Sequence, residues 1–207
     1  MSVLSILILF TLFFLRSNHV FAKQWDNTEA IRERMEQFKN LPDDSVDVLF
    51  LGSSGLYAGV SSARFFQVSG ITSYNLSKSN HTFYTRYYKL LELLEFHKPK
   101  LVVLDLSYIS SPGISPSNTN TEIEFRSGYH ALSTQSLKEL YLKNLHEDFP
   151  EIDPWSYRFP FIKHHSNWDQ LTEKGFNVTD ANLQHLGGLL RAKITKVSPK
   201  INNITRQ

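Results

Sequence analysis

The stretch Asp47-Val48-Leu49-Phe50-Leu51-Gly52-Ser53-Ser54-Gly55 is the most informative part of this chain. Its first half is a short apolar run, and the Gly-Ser-Ser-Gly turn that stops it favours a buried parallel strand over a helix. A predicted helix follows, so the serines lie at the carboxyl edge of the sheet, where α/β proteins bind their ligands. The turn is therefore a candidate site for a nucleophile.

Two other interpretations of the turn stay open. Glycine and serine tolerate turn conformations, so the residues can serve the backbone alone. The N–H groups of the turn can also bind an anion at the start of the helix.

The next 55 residues or so alternate between predicted helices and strands. We predict a helix capped by Ser61 or Ser62 and ended by Gly70, a strand over 71–76, a helix from Thr82 to about Phe96 with one broad apolar face, and a strand over 101–106. Strand, helix, strand, helix, strand at this spacing predicts a parallel sheet covered by helices on both faces. The third strand is the most apolar, so we expect it to be central.

The flanking segments are less regular. Residues 27–40 predict an amphipathic helix before the first strand, and Leu137 to Leu145 predict another after the third. Residues 149–160 are an aromatic and proline-rich connection, and 194–197 is the best remaining candidate for a fourth strand. The sequence thus predicts an α/β protein of three layers, α/β/α, around a parallel sheet that is either complete or cut short.

Composition is that of a globular protein of one domain. The 207 residues are 41% hydrophobic and 20% charged, with a net charge of +2 that is too small to argue for nucleic acid. Residues 1–185 carry a net charge of −3, whereas 186–207 form a basic tail without acidic residues. Since there is no cysteine, disulfides, thiolate metal sites and cysteine nucleophiles are excluded.

The first 22 residues resemble a targeting segment. Val3 to Leu15 is an apolar run close in length to the core of a secretory signal, and Val20-Phe21-Ala22 offers a small-residue cleavage pattern. No basic residue precedes the run, so an uncleaved membrane anchor is the alternative. We expect a signal peptide or anchor over 1–22, a domain over 23–185, and contact with a membrane through the N-terminal segment outside the cytoplasm.

The motifs of this domain resemble those of the SGNH/GDSL hydrolases, and within them the envelope-associated, DltD-like branch. Phe50-Leu51-Gly52-Ser53-Ser54 is similar to the first block, which makes Ser54 the nucleophile that the resemblance implies. Asn75-Leu76-Ser77-Lys78-Ser79-Asn80 is similar to the second block, with Asn80 in place of the glycine whose N–H stabilises the oxyanion. Asparagine suits that place because it tolerates positive φ better than other non-glycine residues.

The chain departs from that family in two places. Ile109 stands where the third block supplies an oxyanion-stabilising asparagine, and no aspartate is followed by a histidine three residues later. The family's Asp-x-x-His provides the base and the residue that orients it. These departures indicate a truncated or degenerate member, similar to the family over about residues 46–110.

Other chemistry-bearing residues have simpler interpretations. His164 and His165 are the best substitutes for the missing base, and we name His165, but adjacent histidines are more often solvated. We expect His81 to be a loop histidine in water and Asp105 to bind neighbouring loop N–H groups. Four aromatic residues either line a sugar-binding groove or, as we favour, pack in the core: Trp155, Tyr157, Phe159 and Trp168.

The sequence leaves two functional hypotheses. The first is an exported serine esterase or O-acyltransferase that acts on acyl esters of a cell-envelope polysaccharide or other acylated polymer, without a cofactor or metal. The second is a non-catalytic remnant or binding module of the same fold that lacks the Asp-x-x-His base.

Overall fold

The computed structural model describes residues 3–17, 29–107 and 114–170. Three predictions lie outside these residues: the cleavage pattern at 20–22, the strand at 194–197 and the basic tail. Ile109 also lies outside them.

The described residues form a mixed α/β structure in which helices dominate. Three short strands, β1 (Val48–Leu51), β2 (Ser73–Asn75) and β3 (Leu101–Leu104), pair in parallel in the order β2-β1-β3. Leu49 of β1 lies opposite Tyr74 of β2 and Val102 of β3. The predicted parallel sheet is confirmed over these strands, which are shorter than the predicted ranges.

The prediction that the third strand is central was wrong. β1 occupies the centre and is buried throughout, whereas β3 pairs with β1 alone among the described strands and leaves 54% of Leu101 exposed. The order of strands depends on which pairings form, and apolar composition does not decide it: β3, predicted as the most apolar strand, is the least buried of the three.

Helices connect and flank the strands. Their bounds in chain order are α1 Val3–Ser17, α2 Glu29–Lys39, α3 Ser54–Gly59, α4 Ser62–Ser69, α5 Phe83–Phe96, α6 Thr119–Ala131, α7 Gln135–Asp148, α8 Pro154–Arg158 and α9 Pro160–His164, followed by a 3₁₀ helix, His165–Gln170. Thus α3 and α4 join β1 to β2, and α5 joins β2 to β3.

The predicted helix ends are confirmed by their caps. The Ser61 side chain accepts a hydrogen bond from the Arg64 N–H, and Gly70 ends α4 at a φ of +70°. Thr82 begins α5 by accepting from the Thr85 N–H. These are local interactions between near neighbours, which is why sequence alone locates them.

The buried apolar side chains form one connected core. On α2, Ile31, Met35 and Phe38 are buried, and the Phe38 ring meets the Tyr74 ring of β2 edge to face at 5.3 Å. Helices α5, α6 and α7 share an aromatic cluster in which Tyr141 donates a hydrogen bond to the Phe125 carbonyl at 2.8 Å. The sheet and the site at its edge rest on this core.

The connection predicted over 149–160 contains short helices instead. Asp153 accepts hydrogen bonds from the N–H groups of Trp155 and Ser156, and Pro154 occupies the first turn of α8. Proline at that position loses no helical hydrogen bond and has the right φ, so it begins a helix here instead of interrupting one.

The N-terminal helix α1 exposes its apolar side chains. Ile6, Leu7, Ile8, Leu9, Phe10, Phe13 and Phe14 are each between 47% and 66% exposed. Such exposure does not fit a helix of the protein core. In the part of the chain that the structure describes, no helix combines the length and the apolar character that crossing a membrane takes.

Candidate functional site

The serine turn, defined here as Gly52, Ser53 and Ser54, lies at the carboxyl end of the central strand. Ser53 has extended backbone angles and precedes α3, and Ser54 is the first residue of that helix. The two hydroxyls differ in environment, because Ser53 is buried and Ser54 is exposed. The turn therefore presents one serine to solvent.

Asp105 holds the buried serine in place. Its Oδ2 accepts hydrogen bonds from the Ser53 Oγ at 2.5 Å and from the Ser53 N–H at 3.0 Å. Its Oδ1 accepts from the Ser107 N–H at 2.8 Å, so the expectation that Asp105 binds loop N–H groups is confirmed. Partial burial raises the pKa of Asp105, but the hydrogen bonds from Ser53 and Ser107 outweigh it and hold the pKa well below its usual value. The carboxylate is therefore ionised, and both of its oxygens accept hydrogen bonds from Ser53 or Ser107.

Position 52 has no room for a side chain, so it requires glycine. A Cβ added there would lie 2.6 Å from the Leu56 Cδ1 and 2.8 Å from the Asp105 Cβ, both far below van der Waals contact. Removing the side chain lets the end of β1 and the first turn of α3 approach the segment after β3.

The Ser54 hydroxyl has no hydrogen-bond partner in residues 3–17, 29–107 and 114–170, the described part of the chain. The neighbouring hydroxyl of Ser53, by contrast, binds both Asp105 and the Ser107 Oγ, the latter at 2.9 Å. Ser54 thus has the exposure that a nucleophile needs, but no described side chain is in position to take its proton.

The loop after β2 lies directly against the serine turn. The Gly52 carbonyl accepts hydrogen bonds from the Lys78 N–H at 3.1 Å and from His81 Nδ1 at 3.2 Å. Asn80 lies between these two contacts, is exposed and has a φ of +56°. The left-handed conformation expected of Asn80 is therefore present, next to the turn that carries Ser54.

Asn75, at the end of β2, fastens the helix that carries Ser54. Its Nδ2 donates to the carbonyls of Leu56 and Val60 at 2.9 Å each, and its Oδ1 accepts from the Ser77 N–H at 3.0 Å. Both N–H bonds and the oxygen of this fully buried amide thus hold α3 and the loop after β2 in position.

The prediction that His81 lies in water was wrong. The ring is fully buried, and burial together with the positive charges of Lys89, Lys78 and Arg86 holds its pKa well below the usual value. A carbonyl only accepts, so Nδ1 carries the proton that goes to Gly52, and the neutral ring leaves Nε2 as an acceptor for Lys89 Nζ at 3.1 Å.

A buried charged cluster continues below His81. Glu124 of α6 accepts from Lys78 Nζ at 2.7 Å and from the Thr85 Oγ1 at 2.7 Å. Lys89 is fully buried, and its burial, only partly offset by the charge of Glu124, lowers its pKa to about 7. A lysine with this pKa is partly protonated and partly neutral near pH 7. Lys89 lies next to His81, beneath the candidate site.

Arg86 of α5 links the loop after β2 to the residues that follow β3. From a fully buried position it donates to the carbonyls of His81, Asp105 and Ser107, and the last of these bonds is 2.9 Å long. Sequence reasoning missed Arg86, because α5 also carries Lys89, Glu92 and Glu95 and a charged residue of a helix ordinarily lies at the surface. Two large apolar residues of α5, Tyr87 and Leu94, are 48% and 39% exposed.

The structure does not bring His165 into hydrogen-bond contact with Ser54. His165 is exposed at the start of the 3₁₀ helix, where its Nδ1 donates to the Ile162 carbonyl at 2.8 Å. The preceding residue, His164, is buried. Lys163 pairs with Glu122 of α6 at 2.8 Å, which attaches this segment to α6.

The aromatic residues after α7 divide between surface and core. Tyr157 is buried, with the Arg126 guanidinium over its ring at 4.3 Å. Trp155 is 60% exposed and stacks on Phe159 at 5.9 Å. The core prediction holds for Tyr157 and not for Trp155.

Among the described residues no group of three histidine, aspartate or glutamate side chains is arranged to hold a metal ion. Comparison with family models, with curated proteins and with solved structures gives no match to this chain.

Proposed function

We propose that this chain is an SGNH-like serine esterase or O-acyltransferase domain, with Ser54 as the nucleophile. The observation that carries the proposal is that the two serines of the serine turn differ in burial and in hydrogen bonding. Asp105 binds Ser53, which leaves Ser54 exposed, with an unengaged hydroxyl, at the carboxyl end of the central strand. Ligands of open α/β sheets bind at this edge.

In the proposed reaction, the Ser54 Oγ attacks an acyl carbon and the backbone N–H groups of Ser54 and Asn80 stabilise the oxyanion. Support comes from the φ of Asn80 and from the two hydrogen bonds that hold its loop against Gly52. Pre-oriented backbone donors of this kind stabilise the developing charge because they need not reorganise during the reaction. The identity of the general base stays a prediction, and His165 is the residue that we predict for this role.

The fold of the domain, its location and its substrate are part of the same proposal. The sheet is the central layer of a three-layer α/β/α fold, and the domain acts outside the cytoplasm on acyl esters of a cell-envelope polymer. The exposed apolar face of α1 supports attachment to, or passage through, a membrane.

A non-catalytic binding module is the second candidate. It is favoured by the lack of a hydrogen-bonded base at Ser54 among the described residues and by Ile109 in place of the expected asparagine. In that case the serine turn shapes the sheet edge or holds a polar ligand.

Labelling with a fluorophosphonate probe distinguishes the two candidates. The enzyme predicts one label per chain that Ser54→Ala abolishes, whereas Ser53→Ala, the matched control at the adjacent serine, still reacts. Absence of labelling in the folded parent protein, or labelling that survives Ser54→Ala, rejects Ser54 as the nucleophile and leaves the binding module.

A further inference from the structure

A cavity lies at the opposite end of the sheet from the serine turn. Its volume is about 440 Å³, within the usual range for small-molecule sites, and its walls include Leu41, Val46, Phe66 and Tyr74. Val46 precedes β1, whereas the serine turn follows it, so the two sites are separated by the four residues of that strand, about 13 Å. We call this cavity the amino-end pocket.

Three serines that line the amino-end pocket have unsatisfied hydroxyls. The Oγ atoms of Ser45, Ser62 and Ser73 are shut off from solvent and have no hydrogen-bond partner in the described residues. Ser62 and Ser73 are 1% and 5% exposed. Buried hydroxyls without partners destabilise a fold, so these three would gain hydrogen bonds by turning toward an occupant of the cavity that accepts or donates them.

The lining also restricts the charge of an occupant. None of the residues that line the space is charged, and the polar ones are Gln67, Thr72 and the three serines. A charged ligand would lose its hydration here without gaining a counter-ion, which is unfavourable. A neutral molecule with a hydrocarbon body and one polar group satisfies both the apolar walls and the serine hydroxyls.

We propose that the amino-end pocket binds a neutral, single-chain amphiphile. Its hydrocarbon body packs against Leu41, Val46 and Phe66, and its hydroxyl or ester oxygen exchanges hydrogen bonds with Ser62 and Ser73. Rotation about χ1 moves a serine hydroxyl between three staggered positions, so no backbone change is needed to redirect these groups toward a ligand. This binding is independent of the reaction proposed at Ser54.

The first experiment locates the binding site. The full chain is titrated with N-phenyl-1-naphthylamine, a neutral fluorescent probe, which is then displaced with 1-octanol. Ala63, an exposed residue of α4 that lines the pocket, is changed in Ala63→Trp to block it, and Val68→Trp places the same ring on an exposed part of α4 outside the lining. We expect at least a tenfold loss of affinity in Ala63→Trp alone. Lack of binding by the parent chain, or equal binding by both variants, overturns the proposal.

The second experiment tests the hydroxyls. The double variant Ser62→Ala/Ser73→Ala should bind 1-octanol about tenfold more weakly, as expected for the loss of two hydrogen bonds. Its affinity for 1-chlorooctane, which has the same chain without the hydroxyl, should not change. Without ligand the variant should unfold at the same or a higher temperature than the parent, because the hydroxyls that it lacks have no partner. Equal weakening for both ligands overturns the assignment of Ser62 and Ser73.

Discussion

The Oγ of Ser53 and the Oδ2 of Asp105 are 2.5 Å apart and join the ends of β1 and β3. The same oxygen accepts the Ser53 N–H, so the carboxylate determines both the side-chain direction and the backbone course of the residue before Ser54. Among the described residues, Asp105 makes its hydrogen bonds to Ser53 and Ser107 and none to a histidine. Its contact with Ser53 can be tested without knowledge of a substrate.

Asp105→Ala should destabilise the domain by about 1–3 kcal/mol, because it removes the carboxylate that accepts hydrogen bonds from the Ser53 N–H and from the buried Ser53 hydroxyl. Urea unfolding of Asp105→Ala, Ser53→Ala and the double variant measures this. The double variant should lose less than the sum of the single losses, since removing either partner breaks the same bond. Strict additivity of the two losses would contradict the contact.

The same contact predicts a dependence on acid. The pKa of Asp105 is lowered in the folded chain, so the unfolded chain binds a proton first as the pH falls. The stabilisation is complete above the pKa of an unfolded aspartate, about 4, and is lost as the pH falls toward the folded value. The difference in unfolding free energy between the parent and Asp105→Ala should therefore shrink between pH 5 and pH 2.5. A constant difference over that interval would argue against ionised Asp105 as the partner.

Gly52→Ala should disrupt the serine turn. The new methyl group would lie 2.8 Å from the Asp105 Cβ, and the strand ends must separate to admit it, at a cost of about 1–3 kcal/mol for overpacking. Gly55→Ala is the matched control, because nothing lies within 4 Å of a Cβ at that position and alanine favours the helix. Thermal unfolding should show a loss for Gly52→Ala and a small gain for Gly55→Ala. Equal unfolding temperatures for the two variants would mean that Gly52 is not held against Asp105.

Lys89→Met should stabilise the domain at neutral pH. The pKa of Lys89 is about 7 when folded and 10.5 when free, so between these values the unfolded chain binds a proton that the folded chain lacks. Folding of the parent is therefore penalised in this interval, and the penalty decreases by up to about 1.4 kcal/mol per pH unit as the pH rises. Methionine has no proton to lose and should remove this slope.

The measurement for Lys89 is chemical denaturation at pH 7.5 and pH 9.5 of the parent and of Lys89→Met. Lys98→Met, which removes an exposed lysine soon after the end of α5, controls for the loss of one positive charge. The gain from Lys89→Met should be larger at pH 7.5 than at pH 9.5. A gain that is the same at both values would show that burial does not lower the pKa of this amine.

Asn80→Val should distort the loop beside the serine turn, because a β-branched residue at a φ of +56° is strained by about 1–2 kcal/mol. Asn80→Gly should retain the conformation. If the Asn80 N–H stabilises an oxyanion, fluorophosphonate labelling should slow in Asn80→Val and persist in Asn80→Gly. Equal labelling rates in the two variants would remove Asn80 from the proposed oxyanion hole.

Local signals in the sequence predicted much of the described fold. The apolar run before Gly52 predicted β1, and Ser61, Gly70 and Thr82 predicted helix ends that the structure confirms. Caps and turns involve residues a few positions apart, so their energetics are visible in a short window of sequence. The exposure of Ser54 at the edge of the sheet was likewise expected from the strand-turn-helix order.

What the sequence determined by itself is the set of elements and the place of the serine turn at the end of a parallel strand. Tertiary structure alone decided that β1 lies at the centre, that Asp105 binds Ser53, and that Arg86, His81 and Lys89 are buried beneath the site. Apart from the contacts of His81 with Arg86 and Lys89, these features depend on partners 19 to 53 residues away in the chain. A charged side chain looks solvent-exposed in sequence until folding supplies the carbonyls and the carboxylate that satisfy it.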